Sequence, residues 1–393
     1  MKKILIVNNN MKVGGVQKSL CSLLHLIEKR YEVTLLLFEP CGAYMEQLPS
    51  GIRLLKADSA YRYLGISQGE CRNLNETFIR GGLAAVSKLF GRPAAMRLLK
   101  WTQNTLEEQY DAAISYLHNG NIHSFYGGVN EFVLEHVQAE KKIAFLHCDY
   151  RNCGGNHPLN NKLYTQFDRI AACSEGCRDA FLSIMPELAE RTAVVYNSHD
   201  YESIQKRSLQ DPVLYDHKSI HLVTVGRLAH EKALERAVLA VSSVRSSGTP
   251  AVLHMIGDGS KKQDLQKITA DLGLQEAVVF EGEQENPYRF MRNADLMLLS
   301  SYHEAAPLVL DEAAALGLPV LTVRTSSADE MVTNRNAGWV CGNSQEELNQ
   351  TLQALLQKPA SLSAVHRQLL NDREQICSLR NETALRQFED LVE

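Results

Sequence analysis

Residues 295–323 read DLMLLSSYHEAAPLVLDEAAALGLPVLTV, with a strand-length apolar run, a polar loop, a helical segment and a second apolar run. Pro307 suits the first turn of the helix, because the N–H that it lacks would have no intrahelical partner there. The order of strand, helix and strand predicts two parallel strands joined by a crossover helix. Glu304 then lies in the loop at the carboxyl end of the first strand, where open α/β sheets bind their ligands.

Short apolar runs alternate with helical segments on both sides of this stretch. In the second half of the chain the predicted strands are residues 220–225, 252–256, 277–280, 295–299, 319–323 and 339–341, and in the first half they are 3–7, 33–38, 112–117, 143–146, 169–173 and 192–195. Apolar strands joined by helices are typical of parallel, doubly wound sheets with helices on both faces. The predicted fold class is therefore α/β, with two such sheets.

The chain has 393 residues, which predicts two domains, because one hydrophobic core rarely organises so long a chain. A polar stretch without clear periodicity separates the two series of strands. We therefore predict an N-terminal domain at residues 1–198, a linker at 199–218 and a C-terminal domain at 219–361. Residues 362–393 are helical in composition.

The composition is typical of a soluble globular protein, with 45% hydrophobic and 22% charged residues. The net charge of −5 and the lack of long charge blocks give no indication of a nucleic-acid partner. The first apolar run ends at Asn8 and is interpreted as a strand rather than a targeting segment. Nine scattered cysteines without a secretory signal are expected to be reduced thiols, which predicts a cytoplasmic protein.

The helix after Pro307 directs free N–H groups and the positive end of its dipole towards the preceding loop, which favours a phosphate there. Glu304 and Glu312 flank this anion site. Because carboxylates repel phosphate, they are better suited to accept hydrogen bonds from sugar and ribose hydroxyls that the phosphate carries. The alternative is that both glutamates are solvated surface residues, since this spacing also arises by chance.

Arg227 and Lys232 lie in a predicted loop between the first strand of the C-terminal domain and the next helix. Arg227 can bind phosphate oxygens in a bidentate manner, and Lys232 can act as a point charge. The sequence contains no Asp-x-Asp, the commonest acidic motif for a metal-bound diphosphate. We predict that the two cations bind phosphate oxygens without a metal. The alternative is that they are ordinary surface charges at the start of a helix.

Two glycine motifs and one histidine also follow predicted strands. Gly14 and Gly15 precede the first helix and would let a ligand approach the backbone closely, with a turn at the helix start that binds no ligand as the alternative. Gly257 is expected to leave room for a nucleotide, with a plain turn between strand and helix as the alternative. His147 ends a strand of the N-terminal domain, where a lone histidine is often structural. His118 ends another strand and is the second candidate for a functional histidine at this edge of the sheet.

Taken in order, these motifs resemble the retaining glycosyltransferases of the GT-B fold, specifically glycosyltransferase family 4, also called glycosyl transferases group 1. The matching motifs are Gly14-Gly15-Val16, His147, Cys173-Ser174-Glu175, Val225-Gly226-Arg227-Leu228 with Lys232, Ile256-Gly257-Asp258-Gly259, and Glu304 to Glu312. The chain departs from the family pattern at Ala305-Ala306 and at Asn197-Ser198. An added methyl group at the first of these crowds the backbone where a donor hexose should lie.

The resemblance implies two Rossmann-like domains that face a central cleft, with residues 362–393 packing back on the N-terminal domain. It implies transfer of a hexose or N-acetylhexosamine, with retention, from a nucleoside diphosphate sugar, most commonly a UDP-sugar. The implied acceptor is a glycan or lipid-linked saccharide in cell-envelope or capsular polysaccharide biosynthesis. No cofactor is implied.

The resemblance also assigns roles to individual residues. The implied catalytic residues are His147, Arg227, Lys232 and Glu304, and the implied substrate-binding residues are Gly14, Gly15, Gly257, Pro307, Leu308, Val309 and Glu312. His147 is placed over the reacting face of the donor sugar, Glu304 at the sugar hydroxyls and Glu312 at the ribose diol. Two other functions are compatible with the same motifs. They are a GT-B epimerase or phosphorylase, and a non-catalytic nucleotide or glycan binder that serves an active transferase.

Residues 80–100 contain five cations and no acidic residue, interspersed with apolar side chains. Basic amphipathic segments of this kind can lie on anionic membranes. The sequence thus predicts peripheral contact with the inner face of the plasma membrane. The alternative is a solvated pair of helices that covers the sheet.

Overall fold

The structure is a computed structural model that describes residues 1–57 and 59–393. These residues form two compact units. The first contains residues 1–198 and 381–393, and the second contains residues 199–380.

Within its described residues, the first unit has a seven-stranded parallel sheet in the order β3-β2-β1-β4-β5-β6-β7. The strands are β1 (Lys3–Asn8), β2 (Glu32–Leu37), β3 (Arg53–Lys56), β4 (Gln109–Ser115), β5 (Gln138–Leu146), β6 (Arg169–Ala172) and β7 (Thr192–Val194). The helices are α1 (Gly15–Ile27), α2 (Arg62–Gly65), α3 (Leu74–Phe90), α4 (Arg92–Lys100), α5 (Val129–His136), α6 (Pro158–Tyr164) and α7 (Glu175–Leu182). Helix α1 buries Leu20, Leu24 and Ile27 against the sheet, as their helical spacing requires.

The sequence analysis did not predict strand β3 of this sheet. It lies at the edge, beside β2, and consists of Arg53-Leu54-Leu55-Lys56 with largely exposed side chains. An edge strand need not bury both faces, so it lacks the long apolar run that revealed the central strands.

The second unit has a six-stranded parallel sheet in the order β10-β9-β8-β11-β12-β13, all of it within the described chain. The strands are β8 (Ile220–Val225), β9 (Ala251–Ile256), β10 (Val278–Gly282), β11 (Leu296–Leu299), β12 (Val320–Val323) and β13 (Gly338–Cys341). The helices are α8 (Tyr201–Ser208), α9 (Leu234–Ser246), α10 (Lys262–Asp271), α11 (Tyr288–Met291), α12 (Leu308–Ala315), α13 (Gln345–Leu356) and α14 (Pro359–Val392). The parallel pairing of β11 with β12 around α12 agrees with the prediction for residues 295–323.

Residues 199–218, which we predicted to be a linker, belong to the second unit. They include helix α8, whose Tyr201 and Ile204 are buried in the core beside Tyr288. The helix was not predicted because its eight residues contain few apolar positions and so give little periodicity.

Helix α14 contributes to both units. Leu362, Leu369 and Cys377 are buried in clusters of the second unit, whereas Phe388 and Val392 are buried in the core of the first. We expected all of residues 362–393 to pack on the N-terminal domain, but only residues 381–393 group with it. The reason is that apolar positions continue along the whole helix, so each end is buried in a different core.

Helix α12 is anchored by a buried carboxylate. His199 Nε2 lies 3.2 Å from Asp311 Oδ2, Arg380 donates to the same oxygen over 3.4 Å, and Arg335 donates to Oδ1. Burial would raise the pKa of Asp311, but the two guanidinium groups and His199 outweigh it and hold this pKa well below its ordinary value. The ionised carboxylate therefore contributes to the stability of the second unit.

Asp311→Ala should lower the free energy of unfolding of the second unit by about 3 kcal/mol, since it leaves buried guanidinium groups without their counter-charge. Because the folded pKa is depressed, this contribution is complete above the unfolded pKa of about 4 and is lost as pH falls below it. Urea unfolding at neutral and acid pH measures both effects. The control is Asp264→Ala, an exposed carboxylate paired with Lys261. Equal losses for the two variants at neutral pH would contradict the anchoring role.

Candidate functional site

The candidate site lies at the carboxyl ends of β8 and β11. These strands are neighbours in the sheet, although β9 and β10 separate them in sequence, so the strand order reverses between them. Ligands of open α/β sheets bind at such switch points. The loop after β8 carries Arg227 and Lys232, and the loop after β11 carries Glu304. The structure thus brings together three of the residues that the sequence analysis selected.

A solvent-open pocket lies between these loops. Its lining residues are Thr224, Val225, Gly226, Arg227, Lys232, Leu234, Leu299, Ser300, Ser301, Glu304 and Val309. The polar groups converge on an apolar base, which is the usual construction of a small-molecule site.

Glu304 and Lys232 form an ion pair in this pocket. Lys232 Nζ donates to Glu304 Oε1 over 2.6 Å, and the Ser301 hydroxyl donates to the same oxygen over 2.7 Å. Ser326 donates to the backbone carbonyl of Glu304 over 2.5 Å. The carboxylate is therefore held through one oxygen, and Oε2 can accept hydrogen bonds from a ligand.

Arg227 is paired as well, although more loosely. Its guanidinium donates to Glu231 Oε1 over 2.8 Å, and the arginine side chain is 72% exposed. Burial would raise the pKa of Glu231, but a hydrogen bond from its own backbone N–H and the charges of Arg227 and Lys232 lower it. Such an exposed pair is weak and easily exchanged. The two cations are therefore already balanced by Glu231 and Glu304, whereas the sequence analysis considered them alone.

The two loops are hydrogen-bonded to each other, with backbone carbonyls of the loop after β8 as the acceptors. Ser300 Oγ donates to the carbonyl oxygens of Ala233, over 2.9 Å, and Lys232, over 3.2 Å. Tyr302 N–H donates to the carbonyl of Glu231 over 3.0 Å. Ala233 has a left-handed φ of 46°, which costs a non-glycine residue about 1 kcal/mol and is maintained here by the surrounding bonds.

Gly257 has a structural role beside this site. Its φ is +146°, and a Cβ added to it would overlap the carbonyl oxygen of Gly226. The Gly226 N–H donates to the carbonyl of Ile256 over 3.0 Å. The space that we expected a nucleotide to use is thus occupied by the backbone of the loop after β8, which packs directly on Gly257.

Helix α12 begins at Leu308, directly after Pro307, and carries Glu312. Val309 lines the pocket, while Glu312 is buried, with 2% of its surface exposed. Ala305, where the chain departs from the family pattern, is also buried. Glu304 and Glu312 therefore differ in exposure, and only Glu304 lines the pocket.

His147 lies in the first unit, directly after β5. Its ring packs on Tyr116, with 4.6 Å between centroids, and is stacked with Phe145. Burial lowers the pKa of His147 to about 3, with a further contribution from the charge of His118, whose own pKa burial lowers to about 4. Nε2 of His147 is buried, with no hydrogen-bond partner among the described residues. His147 is therefore a neutral imidazole whose Nε2 is covered by the protein.

Gly14 and Gly15 lie where β1 is followed by α1. Gly14 precedes the helix in an extended conformation, and Gly15 is its first residue. A Cβ at Gly15 would meet no atom within 4 Å, whereas one at Gly14 would contact the flexible amide of Gln17. Protein packing does not require a glycine at position 15, so this position leaves open space for a ligand.

Several residues of the site were not selected from the sequence. Ser301 and Glu231 bind the selected residues directly, and the buried Arg236 donates to the carbonyl of Ser300, over 3.2 Å, and to Asn343 Oδ1, over 2.7 Å. Ser301 could have been found, because it follows β11 directly. Arg236 gave no signal, since an arginine within a helix normally faces solvent.

Comparison with known proteins identifies a matching family model, relatives in sequence and solved structures of the same fold. Residues 205–370 match the family of glycosyl transferases group 1. The crystal structure of Anabaena Alr3699/HepE in complex with UDP and glucose superposes with a TM-score of 0.67 at 18% identity, covering 99% of both chains. The chain has the GT-B fold. This confirms the predicted fold class.

Two relatives in sequence are bacterial transferases. Lipopolysaccharide glucosyltransferase WaaG of Escherichia coli K12 is 32% identical over 145 residues, 36% of this chain and 39% of WaaG. A Campylobacter jejuni protein, N-acetylgalactosamine-N,N'-diacetylbacillosaminyl-diphospho-undecaprenol 4-alpha-N-acetylgalactosaminyltransferase, is 29% identical over 177 residues, 45% of this chain and 47% of the relative. The chain thus spans less than half the length of either relative.

With UDP as a probe for diphosphate binding at this pocket, Glu231→Gln should show an affinity about fivefold higher than the wild-type chain, because it releases Arg227 to bind phosphate. Arg227→Ala should lower that affinity about tenfold. Neither change should alter the weaker binding of uridine, and calorimetry measures both ligands. The matched control is Glu235→Gln, which removes a carboxylate bonded to Tyr302 at the next turn. If Glu231→Gln behaves like this control, Glu231 does not compete with the phosphate.

Proposed function

We propose that the chain is a retaining, metal-independent glycosyltransferase that uses a nucleoside diphosphate sugar, with UDP as the nucleotide. It would transfer a hexose or N-acetylhexosamine to a glycan or lipid-linked saccharide in cell-envelope or capsular polysaccharide biosynthesis. The observation that carries the proposal is the convergence of Arg227, Lys232 and Glu304 at one switch point of a GT-B fold. The UDP complex of HepE and the acceptor named for the Campylobacter relative support the choice of substrates.

Cleavage of the donor places negative charge on the departing diphosphate. Arg227 would exchange its weak partner Glu231 for phosphate oxygens, which it can bind through two parallel N–H groups. The Lys232 ammonium has three N–H donors, so it can keep Glu304 and still donate to the phosphate. Together they would supply the positive charge that a metal supplies in other transferases.

No group of three or more His, Cys, Asp or Glu side chains that could hold a metal ion occurs in residues 1–57 and 59–393. The proposal of a metal-independent reaction rests on the position of the two cations and on the sequence, which lacks Asp-x-Asp. Transfer in the presence of EDTA tests whether the reaction needs a metal.

Glu304 would bind the sugar through Oε2 while Lys232 and Ser301 hold Oε1. Its negative charge would lie near the positive charge that develops at the anomeric carbon. Because Lys232 would contact both Glu304 and the phosphate, the sugar and its leaving group would be positioned by one shared side chain.

Retention is proposed to proceed by attack on the face that the diphosphate leaves. The bond from the anomeric carbon to the phosphate oxygen breaks, the bond to the acceptor oxygen forms, and the acceptor proton moves to the departing phosphate. His147, with its pKa near 3, is a poor proton acceptor at neutral pH. This supports a role in hydrogen bonding to substrate rather than in proton abstraction.

The remaining assignments are proposals of the same kind. We propose that Pro307, Leu308 and Val309 contact the nucleotide and that Glu312 binds the ribose diol. In the first unit, Gly14 and Gly15 would contact substrate through the backbone. A cytoplasmic location is proposed from the expectation of reduced cysteines.

The proposed function is tested by incubating the protein with UDP-glucose, UDP-N-acetylglucosamine and UDP-N-acetylgalactosamine, with and without undecaprenyl-diphosphate saccharide acceptors. Transfer to an acceptor, unchanged in the presence of EDTA, is the expected result. Conversion of the donor sugar without acceptor would instead support an epimerase. Donor binding without hydrolysis or transfer would support a non-catalytic binder.

Glu304→Ala should reduce transfer about 1000-fold, a loss of the size seen when one group that stabilises charge in the transition state is removed. The affinity for UDP should stay the same or rise, because Lys232 loses its competing carboxylate. Initial rates and calorimetry separate the two effects, with the exposed Glu283→Ala as control. A collapse of UDP binding in the Glu304 variant would refute the proposed role.

A further inference from the structure

Arg236 is a buried cation of the second unit that does not line the pocket. It is the third residue of α9, with 6% of its surface exposed. Its Nη1 donates to the carbonyl of Ser300 over 3.2 Å and to Asn343 Oδ1 over 2.7 Å, and both acceptors are neutral. Nη2 is buried without a hydrogen-bond partner among residues 1–57 and 59–393. Burying a guanidinium in this way is costly, so its presence requires an explanation.

Asn343 extends the bonds of Arg236 to two further loops. It lies after β13, and its Nδ2 donates to the carbonyl of Tyr302 over 3.1 Å and to that of Arg324 over 3.0 Å. Tyr302 belongs to the loop after β11, and Arg324 directly follows β12. Arg236 and Asn343 therefore join helix α9 to the loops after three neighbouring strands of the sheet.

These bonds hold the segment around Ser301. Arg236 binds the carbonyl of the residue before Ser301, and Asn343 binds the carbonyl of the residue after it. The Ser301 hydroxyl in turn donates to Glu304 Oε1 over 2.7 Å, and this oxygen also accepts from Lys232. Because the backbone is fixed on both sides of Ser301, the position of its hydroxyl, and with it that of the Glu304 carboxylate, depends on Arg236.

An arginine suits this position better than a lysine. The Arg236 guanidinium lies over the Tyr302 ring, with 5.6 Å between Cζ and the ring centroid. A planar guanidinium can pack on an aromatic ring and donate hydrogen bonds from its edge at the same time, whereas a lysine ammonium is a point charge without a plane. Lysine would therefore preserve the charge but not the combination of contacts that fixes the loop.

We propose that Arg236 is a positioning residue for the transfer reaction. Through its two acceptors it holds the loop after β11, so that the Glu304 carboxylate stays beside Lys232. Arg236 acts through this loop and does not contact the substrate. The inference rests on the proposed function, in which Glu304 binds the donor sugar. Since both phosphate-binding cations remain when Arg236 is removed, its removal should lower the rate at saturating donor and not the affinity for the nucleotide.

The first test compares initial rates of R236M, R236K and the wild-type chain. In R236M, kcat should fall about 100-fold, because a small displacement of a substrate-binding group has an effect of this size, while KM for the donor should change by less than about twofold. In R236K, kcat should fall about tenfold, since the ammonium retains the charge but not the planar contact. In an E304A background, R236M should cause no further loss, because the group that Arg236 positions is absent.

The matched control is R245M. Arg245 is another arginine of α9, and its Nη1 donates to the carbonyl of Ala251 over 3.0 Å. A second measurement needs no transfer reaction, namely hydrogen–deuterium exchange followed by mass spectrometry of peptides that cover residues 300–306. The backbone N–H groups of this loop should exchange about tenfold faster in R236M than in the wild type, and R245M should change neither this exchange nor kcat.

An unchanged kcat in R236M would overturn the proposal, as would a further loss of rate in the E304A background. Loop exchange equal to that of the wild type would overturn it as well. If R236M does not fold, as thermal melting would show, R236K provides the same comparisons. Absence of transfer by the wild type would instead refute the proposed function, and faster loop exchange in R236M would still support the structural link between Arg236 and this loop.

Discussion

The ion pair between Lys232 and Glu304 is the interaction on which the candidate site depends. The two side chains belong to loops after β8 and β11, which become neighbours only because the strand order of the sheet reverses there. Bonds from Ser300 to the backbone of the other loop, and from Tyr302 to Glu231, fix the distance between these loops. The sheet edge thus holds a cation and a carboxylate side by side, and the proposed function assigns them to a diphosphate and its sugar.

This arrangement also balances the charges of the two cations with carboxylates of the chain. Lys232 and Arg227 would repel each other and the nearby helix start if they were unpaired, and Glu304 and Glu231 balance them. The balance is unequal, since the pair of Lys232 is partly buried while Arg227 is highly exposed. Ligand phosphate can therefore replace Glu231 at little cost while the inner pair stays in place. The buried Asp311 fixes helix α12, which completes the pocket through Val309.

The sequence predicted the central strands well because each is buried on both faces and must be a continuous apolar run. The edge strand β3 and helix α8 lack that constraint and were missed. Arg227, Lys232 and Glu304 were selected because they follow strands, and the structure places them around one pocket. The pairing of Arg227 with Glu231 could not be derived, since it depends on the path of a loop. The sequence shows that Gly257 has no side chain. It does not show that the backbone of Gly226 occupies the space beside it. Arg92 was counted among the five cations of residues 80–100, but it is buried and paired with Glu131. This pairing could not be derived from the sequence because the two residues are far apart in the chain.

The most direct test of the account is a crystal structure of the protein with an intact nucleoside diphosphate sugar. The account predicts that the diphosphate contacts the guanidinium of Arg227 and the ammonium of Lys232, that Arg227 has left Glu231, and that Glu304 accepts hydrogen bonds from the sugar. A diphosphate bound elsewhere, with both cations still paired to their carboxylates alone, would contradict it.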